Sequence, residues 1–474
     1  MADAVARNAA QLTEASSSDQ LPTRASSDDT TLGYPSAGRA WFAVAMLTGL
    51  YIFSYIDRTV LTLLVGPIRQ DLQISDTEVS LLHGFAFALF YTFLGLPFGR
   101  LTDRHHRIGI ISIGIFVWSV MTAISGFARS FWQLFLARVG VGVGEAALSP
   151  AAYSIITDYF PPDKRSRALS TYVLGSYLGM SLAYLIGGGL VAMLESAPQW
   201  HVPFVGQLEG WRIAFLVVGL PGLLLAPLVW TVREPRRRGT LRHDGAAVKS
   251  VPLSELLGYL RLHWKTYSAH FLGFGLLCLL INGMALWTPT FLIRVHGWSV
   301  GQAGAAYGLM IGIFGGSGVV AGGWVSDYLQ RRGQRGACFI TAAVGSALSL
   351  LPTIAMPIVP DSRLMLMLMA PALFFGGIPF GLAVSALQQI SPNQMRGQVS
   401  AMYQFFNNLL GIGCGPLIVA LVTDYVFQDE KALGYSMAIV GGASALIATV
   451  VLAVGIRPYV VSLKLAESWK REGD

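Results

Sequence analysis

Charge is scarce in this sequence. Asp, Glu, Lys and Arg make up only 12% of its 474 residues, whereas about 25% is typical of a soluble domain. Hydrophobic residues make up 53%, and the mean hydropathy is +0.55. This balance excludes an ordinary soluble globular protein.

Signatures of ATP-driven transport and of catalysis are missing as well. The chain has no phosphate-binding loop of the GKS or GKT type, which argues against an ATP-driven pump. It also has no catalytic constellation and no large soluble domain. We therefore expect neither an enzyme nor a receptor with a separate ligand-binding domain.

Cysteine is rare too. Cys278, Cys338 and Cys414 fall in three separate apolar windows without the spacing of metal ligands, which predicts free thiols. His105 and His106 stand beside arginines, which would repel a metal cation. The sequence therefore predicts no metal site and no cofactor.

Long apolar windows dominate the sequence instead. About 20 apolar residues cross the hydrocarbon core of a bilayer as an α-helix. The windows that meet this length are 41–65, 79–98, 108–128, 131–156, 168–194, 212–232, 268–293, 302–325, 337–357, 364–387, 399–422 and 433–456. They predict an all-α membrane protein with twelve transmembrane helices, numbered 1 to 12 in chain order.

The windows divide the chain into two halves and three polar segments. Residues 1–40 are polar and Ser-rich without an apolar signal segment, which predicts a disordered cytoplasmic tail. The N-terminal six-helix half would cover 41–232, and a basic cytoplasmic loop 233–267. The C-terminal six-helix half would cover 268–456, and a second cytoplasmic tail 457–474.

Basic residues are distributed unevenly between the loops. If the N-terminus is inside, loops on that side hold 18 Lys and Arg, and loops on the other side hold six. This asymmetry is typical of a membrane protein with both termini in the cytoplasm. Orientation in the plasma (inner) membrane then explains the net charge of +7 without nucleic acid as a partner.

Two short motifs recur at nearly the same sequence offset. GRLTD at Gly99–Asp103 corresponds to GWVSD at Gly323–Asp327, and both stand at the end of a window. The P-x-x-x-R frame within PPDKRSRALS recurs at Pro392–Arg396, and the two offsets differ by no more than a short insertion. Together they predict two parallel six-helix repeats. Transporters with this organisation bind substrate between the halves and expose it alternately to each side.

Four charged residues lie inside predicted helices 1 and 4. Asp57 and Arg58 are adjacent in the stretch SYIDRT. The rise per residue of an α-helix places Asp57 and Arg138 at a similar depth, and Glu145 deeper on the same face of helix 4. Ion pairs that only hold the two helices together are one interpretation. We favour a substrate or proton pathway, because Glu145 corresponds to the uncharged Gly376 in the second half.

Several stretches resemble a known family. GRLTDRHHR resembles the signature loop between helices 2 and 3 of the major facilitator superfamily, although His106 stands where that family usually has Gly. YIDR, FVWSVMT, FWQLFLARVGVGVGEA and PPDKRSRALS resemble its Spinster-like branch over about residues 50–190. The resemblance implies the major facilitator fold, a monomer, and proton-linked export of lysophospholipids or sphingosine phosphate.

The resemblance and the residue chemistry together predict a proton-coupled secondary transporter that works by alternating access. Its substrate would be a small amphipathic anion of the lysophospholipid type, and its other partners protons and the lipid bilayer. Asp57 and Glu145 would exchange protons. Arg58 or Arg138 would bind an anionic headgroup, because a guanidinium grips phosphate with two hydrogen bonds. His83 is either a further proton-exchanging group or a satisfied core residue.

Charged residues at the ends of helices 2 and 8 are candidate gating residues. In the family that GRLTDRHHR resembles, the acid of this loop pairs with a neighbouring helix and locks the outward-facing state. The resemblance gives this role to Asp103 and, in the second half, to Asp327. Arg104, Arg107 and Arg331 are gating candidates beside these acids, or orientation signals at the membrane edge.

The second half supplies uncharged candidates for the wall of a central cavity. They mix aromatic and amide groups on helices 7, 10 and 11: Asn282, Trp287, Phe374, Phe375, Gln404, Phe405, Asn407 and Asn408. A charged first half and an uncharged second half would suit an amphipathic substrate. Ordinary packing between helices is the alternative for each residue.

Two other functions fit the same sequence. A proton-coupled exporter of drugs or small organic acids would need the same helices and the same charges. A non-transporting membrane receptor would bind its ligand without moving it, whereas a transporter would show saturable flux that a protonophore abolishes.

Overall fold

The computed structural model describes residues 34–195, 199–202, 206–237, 253–392 and 395–471. Within them, twelve helices are long and apolar enough to cross a membrane, which confirms the predicted all-α fold. In chain order they are Ala37–Leu63, Asp76–Gly95, Arg107–Ser125, Phe131–Tyr159, Arg167–Leu194, Gly210–Thr231, Trp264–Arg294, Val300–Arg331, Ala337–Ala355, Ser362–Ile390, Arg396–Phe427 and Glu430–Ala466. Residues 1–33 of the predicted tail lie outside the described residues.

The two halves repeat the same packing. Helix 3 contacts helices 4 and 6 in the first half, as helix 9 contacts helices 10 and 12 in the second. Helix 1 lies against helix 5, and helix 7 lies against helix 11. Helices 3 and 9 each have 19 residues and begin at Arg107 and Ala337, an offset close to that of the sequence motifs. This agreement supports the predicted repeat.

The halves meet along helices 5 and 8 and along helices 2 and 11. Glycine permits the close approach at both crossings. A Cβ on Gly304 would lie 2.6 Å from the carbonyl oxygen of Tyr184 and 2.9 Å from the Cα of Gly188. A Cβ on Gly84 of helix 2 would overlap the carbonyl oxygen of Ile412 in helix 11. Any larger side chain at these glycines would push the halves apart.

Because the number of spans is even, both ends of the described chain lie on one side of the membrane. We call this side the terminal face and the other side the opposite face. One apolar cluster joins both halves toward the opposite face, and includes Leu61, Trp211, Trp287 and Leu433. Toward the terminal face each half has a separate apolar cluster. The halves are therefore packed together most extensively toward the opposite face.

Helix 12 is longer than the sequence analysis predicts. It is helical over Leu433–Arg471, so it continues past the predicted boundary at 456 into the segment predicted as a tail. The reason is tertiary packing of Tyr459, which is buried. Its ring stacks on Phe339 with centroids 4.4 Å apart, and its hydroxyl donates to Oε1 of Gln389 at 3.2 Å.

The basic loop predicted over 233–267 contains a short helix at Leu253–Leu262, which we call the linker helix. Leu256 and Leu260 are buried against the C-terminal half. Helix 7 then begins at Trp264, before the predicted end of the loop. Residues 238–252 of this loop lie outside the described residues.

A two-stranded antiparallel hairpin, which the sequence analysis does not predict, connects helices 5 and 6 on the opposite face. Strand β1 is Gln199–Val202 and strand β2 is Gly206–Glu209. Their register places Gln199 opposite Glu209.

Candidate substrate and proton site

Asp57 is completely buried between helices 1, 3 and 4. Its Oδ1 accepts a hydrogen bond from Thr122 Oγ1 at 2.5 Å, and Nη1 of Arg138 lies 3.8 Å from the same oxygen. The common depth predicted for Asp57 and Arg138 agrees with this contact. Thr122 is a partner that the sequence analysis does not identify, because nothing in the sequence shows which residue of helix 3 faces Asp57.

Glu145 and Arg58 form a second pair between the same two spans. Nη2 of Arg58 donates to Oε2 of Glu145 at 2.6 Å, and the Ser54 hydroxyl donates to that oxygen at 2.7 Å. Ser54 and Arg58 are four residues apart, so they lie on one face of helix 1. Two acids and two bases thus link helix 1 to helix 4 inside the predicted span.

The guanidinium of Arg58 lies on aromatic rings. Its Cζ is 4.0 Å from the ring centre of Phe87, 5.1 Å from that of Tyr55 and 5.5 Å from that of Tyr91. Contacts of this kind attract a cation to the face of the ring. The Arg58 side chain is 13% exposed, whereas Arg138 is 2% exposed. Of the two arginines, Arg58 is therefore the one that a ligand can reach in this conformation.

Both pairs retain unused hydrogen-bonding capacity. Among the described residues, Oδ2 of Asp57, Oε1 of Glu145, Nε of Arg58, and Nε and Nη1 of Arg138 have no hydrogen-bond partner. Charges at such depth are stable only when they are paired. A proton on Glu145 would remove its charge, and Arg58 would then need another anion.

His83 stands on helix 2, in a π-helical turn over Leu81–Phe85. Its Nδ1 has no hydrogen-bond partner, and it makes no hydrogen bond to Asp57 or Glu145 within the described part of the chain. The structure thus does not connect His83 directly to the two acids, and its proton role remains a prediction. The described residues also contain no cluster of three or more potential metal ligands.

The amides of helices 7 and 11 form a polar wall in the second half. Asn282 and Asn407 each donate to the Sγ of Cys278 at 3.3 Å, and the Tyr403 hydroxyl donates to Oδ1 of Asn407 at 3.2 Å. We call these residues the amide wall. It contains two of the predicted wall residues together with Cys278 and Tyr403, which the sequence analysis does not place there.

The remaining amides connect this wall to the first half. Gln404 donates to Oδ1 of Asn408 at 2.7 Å, and Asn408 donates to Oγ1 of Thr92 in helix 2 at 3.2 Å. Beside this contact the rings of Phe93 and Phe405 lie 5.1 Å apart. A movement of helix 11 against helix 2 would therefore change both contacts.

Three predicted wall residues have other surroundings. Trp287 is completely buried in the apolar cluster near the opposite face, and its indole N–H donates to the carbonyl oxygen of Pro416 at 2.9 Å. It has no surface for a substrate in this conformation, because its side chain is completely buried. Phe374 packs against Phe375 and against the apolar cluster of the C-terminal half.

Arg107 is buried at the terminal face rather than exposed at a membrane edge. It donates to Asp158 at 2.5 Å, to Glu234 at 2.6 Å and to the Ser154 hydroxyl at 2.8 Å. It thereby joins helix 3 to the end of helix 4 and to the segment after helix 6. These partners cannot be predicted from the sequence pattern, since they are 47 to 127 residues away along the chain.

The structure shows no ion pair for the other gating candidates, unlike Arg107, within the part of the chain that it describes. The side chains of Asp103 and Arg104 lie outside the described part of the structure. Asp327 and Arg331 are exposed, and neither forms an ion pair with another described residue. Their gating roles remain predictions.

Ion pairs at the opposite face join the two halves. Two nitrogens of Arg294 on helix 7 donate to the buried carboxylate of Asp76 on helix 2, at 2.6 and 2.7 Å. Arg69 contacts Asp76 at 3.0 Å and Glu430 of helix 12 at 2.8 Å. We call these four residues the opposite-face cluster. The only sequence signal for it is that all four are charged residues near predicted helix ends on one side.

Comparisons with known proteins agree with this architecture. The profile of the Major Facilitator Superfamily matches residues 47–416. The chain is 30% identical to an MFS-type efflux pump of Mycolicibacterium smegmatis over 416 residues, which cover 87% of this chain and 91% of the relative. It is 28% identical to Protein spinster homolog 1 of Mus musculus over 443 residues, covering 87% and 80%.

A solved structure gives the same result. A bacterial homolog of the human lysosomal transporter Spinster, in an inward-facing and unoccupied conformation, superposes with a TM-score of 0.72 at 27% identity. The match covers 91% of this chain and 98% of that one. The profile match, the twelve helices and this similarity show that the chain belongs to the major facilitator superfamily and is a Spinster-like transporter, not an enzyme.

Proposed function

We propose that this transporter is proton-coupled, works by alternating access and moves lysophospholipid-like or other amphipathic anions. The observation that carries the proposal is the position of Arg58. Its guanidinium is partly exposed, rests on the ring of Phe87 and is neutralised by Glu145 of another helix. A cation whose counter-ion can be protonated is suited to exchange a proton for an anionic ligand.

The exchange follows from charge balance. With Glu145 ionised, Arg58 is paired and has little attraction left for an anion. Protonation of Glu145 leaves the guanidinium without a counter-ion in a poorly solvated place, which is costly. A phosphate or carboxylate of the substrate then restores neutrality through paired hydrogen bonds. Asp57, next to Arg58 on helix 1, forms with Arg138 a second site where a proton can be held.

The two halves offer different chemistry to a substrate. The first half supplies Arg58 and the hydroxyl-bearing rings of Tyr55 and Tyr91, and the second half supplies the uncharged amide wall and Phe405. An amphipathic anion can place its headgroup toward the first half and its chain toward the second. This complementarity supports a lipid-like substrate over a uniformly polar one.

A proton-coupled exporter of drugs or small organic acids is the second candidate. The 30% identity to an MFS-type efflux pump over most of both chains favours it. Such an exporter would use the same ion pairs but would not need a long-chain substrate. A non-transporting receptor would bind the same ligand without flux.

We further propose that the terminal face is cytoplasmic, that the membrane is the plasma (inner) membrane and that the chain acts as a monomer. The excess of Lys and Arg in the loops of the terminal face supports this orientation.

Uptake of labelled lysophospholipid into proteoliposomes, with and without a pH gradient, tests the proposal. We expect gradient-driven uptake by the wild type, loss of the gradient effect in Glu145→Gln, and no change in Glu255→Gln, which alters an exposed acid on the linker helix. If the wild type moves no lipid but moves organic anions or drugs, the second candidate is correct. If pH-dependent transport persists in both Glu145→Gln and Asp57→Asn, the proton assignment is wrong.

A further inference from the structure

Helices 2 and 8 each contain one turn that is wound as a π-helix. The turn is Leu81–Phe85 in helix 2 and Ile311–Gly315 in helix 8. The two turns are separated by the same number of residues as the starts of helices 3 and 9. A π-helical turn has i→i+5 hydrogen bonds in place of i→i+4, is rare, and is frequently found at functional sites. Its presence at equivalent places in both halves shows that it belongs to the repeat.

In helix 8 the π-helical turn separates two segments that pack against different halves. Before the turn, helix 8 lies mainly against helix 5 of the first half, and a Cβ on Gly308 would lie 2.8 Å from the carbonyl oxygen of Ser181. After the turn it lies against helices 9 and 10 of its own half, and a Cβ on Gly318 would overlap the carbonyl oxygen of Phe374. The close contacts of helix 8 therefore pass from one half to the other across a single turn.

Helix 2 is divided in the same way, and the segment before its π-helical turn is bonded to the second half. The backbone N–H and the hydroxyl of Thr77 both donate to the carboxylate of Asp424 in helix 11, at 2.8 and 2.7 Å. The Ser80 hydroxyl donates to the carbonyl oxygen of Pro416 in the same helix at 3.1 Å. Asp76, which holds the ion pairs of the opposite-face cluster, begins this segment. The start of helix 2 is therefore attached to the second half through each of these residues.

Just after its π-helical turn, helix 2 packs against its own half. A Cβ on Gly142 of helix 4 would lie 2.9 Å from the carbonyl oxygen of Phe87. The ring of Phe87 also supports the guanidinium of Arg58, whose partner Glu145 lies on helix 4 as well. The rest of helix 2 packs mainly against helix 4 and meets helix 11 again at Thr92. The turn thus lies between the attachment to the second half and the candidate transport site.

We propose that the two π-helical turns are hinges, at which the segments Asp76–Ser80 of helix 2 and Val300–Met310 of helix 8 bend when the opposite face opens. Helices bend sharply at such turns, because the i→i+4 ladder of hydrogen bonds is interrupted there. A few residues that absorb the change in backbone angles are sufficient for a hinge. The inference rests on alternating access in the proposed function, and adds that neither half moves as one rigid body. Contacts beyond the hinges, such as that of Phe87 with Arg58, then stay intact while the opposite face opens.

Distances within one half test the hinge in helix 8 on the purified full-length chain. Spin labels are introduced as non-natural amino acids, which leaves the native cysteines unchanged, at Gln302 before the turn and at Arg363 at the start of helix 10. Both positions are exposed, and both lie at the opposite face of the C-terminal half. Asp76→Asn removes the buried counter-ion that joins the halves at this face, so labels at Gln70 and Gln428 should move apart. In that protein we expect the distance between Gln302 and Arg363 to change as well.

A rigid half gives a different result. If each half moves as one body, the distance between Gln302 and Arg363 stays constant while that between Gln70 and Gln428 grows, and this outcome would refute the hinge. Labels at Arg363 and Tyr435 are the matched control. They lie at the same face of this half on helices 10 and 12, and their distance should not change. None of these distances depends on a substrate, so failure of the hinge and failure of the proposed substrate or proton coupling are distinguishable.

A single-residue deletion tests the same hinge through transport. Ile313 is 59% exposed, and its deletion removes the residue that a π-helical turn holds beyond an α-helical one. Helix 8 can then continue as an α-helix without rotation of its two segments against each other. We expect the initial rate of lysophospholipid uptake into proteoliposomes to fall by about tenfold or more, with an unchanged melting temperature.

The control for the deletion is Ile313→Ala, which removes the same side chain but keeps the number of residues in the turn. It should transport at the wild-type rate. Wild-type uptake by the deletion variant would contradict the hinge, and so would an equal loss of uptake in Ile313→Ala, because the side chain rather than the turn would then matter. A slow deletion variant, together with a changed distance between Gln302 and Arg363, would support the hinge.

Discussion

Nη2 of Arg58 and Oε2 of Glu145 are 2.6 Å apart, and this contact joins helix 1 to helix 4 within the predicted span. The partner of Glu145 is therefore a residue of the neighbouring helix, and Arg138 on the same helix contacts Asp57 instead. In the proposed mechanism, protonation of Glu145 would release Arg58, which is the more exposed of the two arginines.

Replacement of Arg58 by lysine tests whether the shape of the guanidinium matters. Lysine keeps the charge but loses paired hydrogen bonds and the flat contact with Phe87, so we expect transport to slow by about tenfold or more. The measurement is the initial rate of substrate uptake into proteoliposomes. Arg261→Lys, an exposed site on the linker helix, is the matched control. A wild-type rate in Arg58→Lys would show that a simple positive charge suffices.

Neutralisation of Asp76 should loosen the opposite face. Asp76→Asn leaves Arg294 and Arg69 without their buried counter-ion, and loss of one partner in such a pair costs about 3–5 kcal/mol. We expect the population to shift toward a conformation open at the opposite face. Spin labels at Gln70 and Gln428, one in each half near this face, should move apart in distance measurements.

The control for this shift is Asp361→Asn. Asp361 caps helix 10 at the same face, and its carboxylate accepts the backbone N–H of Leu364 within one half. Its replacement should leave the label distance unchanged. An unchanged distance in Asp76→Asn as well would show that the apolar cluster alone holds the opposite face closed.

Arg107 should contribute strongly to stability. Arg107→Gln leaves Asp158 and Glu234 without their shared cation, and we expect a loss of about 3–5 kcal/mol in the free energy of unfolding. Thermal unfolding in detergent measures this loss of stability. We also expect the abundance of the Arg107→Gln protein to fall. Arg331→Gln, at an exposed site, should change stability by less than about 0.5 kcal/mol. Equal melting temperatures in the wild type and Arg107→Gln would show that the ion pairs of Arg107 contribute nothing to stability.

Trp287 and Asn407 should affect different properties. Trp287→Phe removes the hydrogen bond to Pro416 in the closed apolar cluster, so we expect a stability loss of about 1 kcal/mol and an unchanged KM. Asn407→Ala removes an amide from the amide wall and should raise KM with little change in thermal unfolding. A raised KM in Trp287→Phe would instead show that Trp287 contributes to substrate binding.

Asp103 remains a gating candidate on the basis of its family motif. Neutralisation in Asp103→Asn should favour inward-facing states and slow turnover, while protein abundance stays unchanged. The initial uptake rate and the same pair of spin labels measure both effects. Asp327→Asn in the second half should have the smaller effect, because Asp327 is exposed and forms no ion pair with another described residue. Normal turnover in Asp103→Asn would contradict the assignment.

Local properties of the sequence were sufficient for the overall architecture. Hydropathy and helix length define the twelve spans, because each span must bury its own backbone groups and match the thickness of the membrane. Rise per residue also places Asp57 and Arg138 at one depth. Helix 12 continues past its predicted end because Tyr459 is held by contacts with Phe339 and Gln389, which are distant in sequence.

The number of spans, the repeat and the common depth of Asp57 and Arg138 are thus readable from the sequence, since they depend on neighbours along one helix. The pairing of Glu145 with Arg58, the contacts of Asp76 across the halves and the burial of Trp287 depend on the packed structure. Partner choice depends on how each helix is rotated and how closely it approaches its neighbours. Close approaches such as that of Gly304 to Tyr184 set this geometry, and they involve residues far apart in the chain.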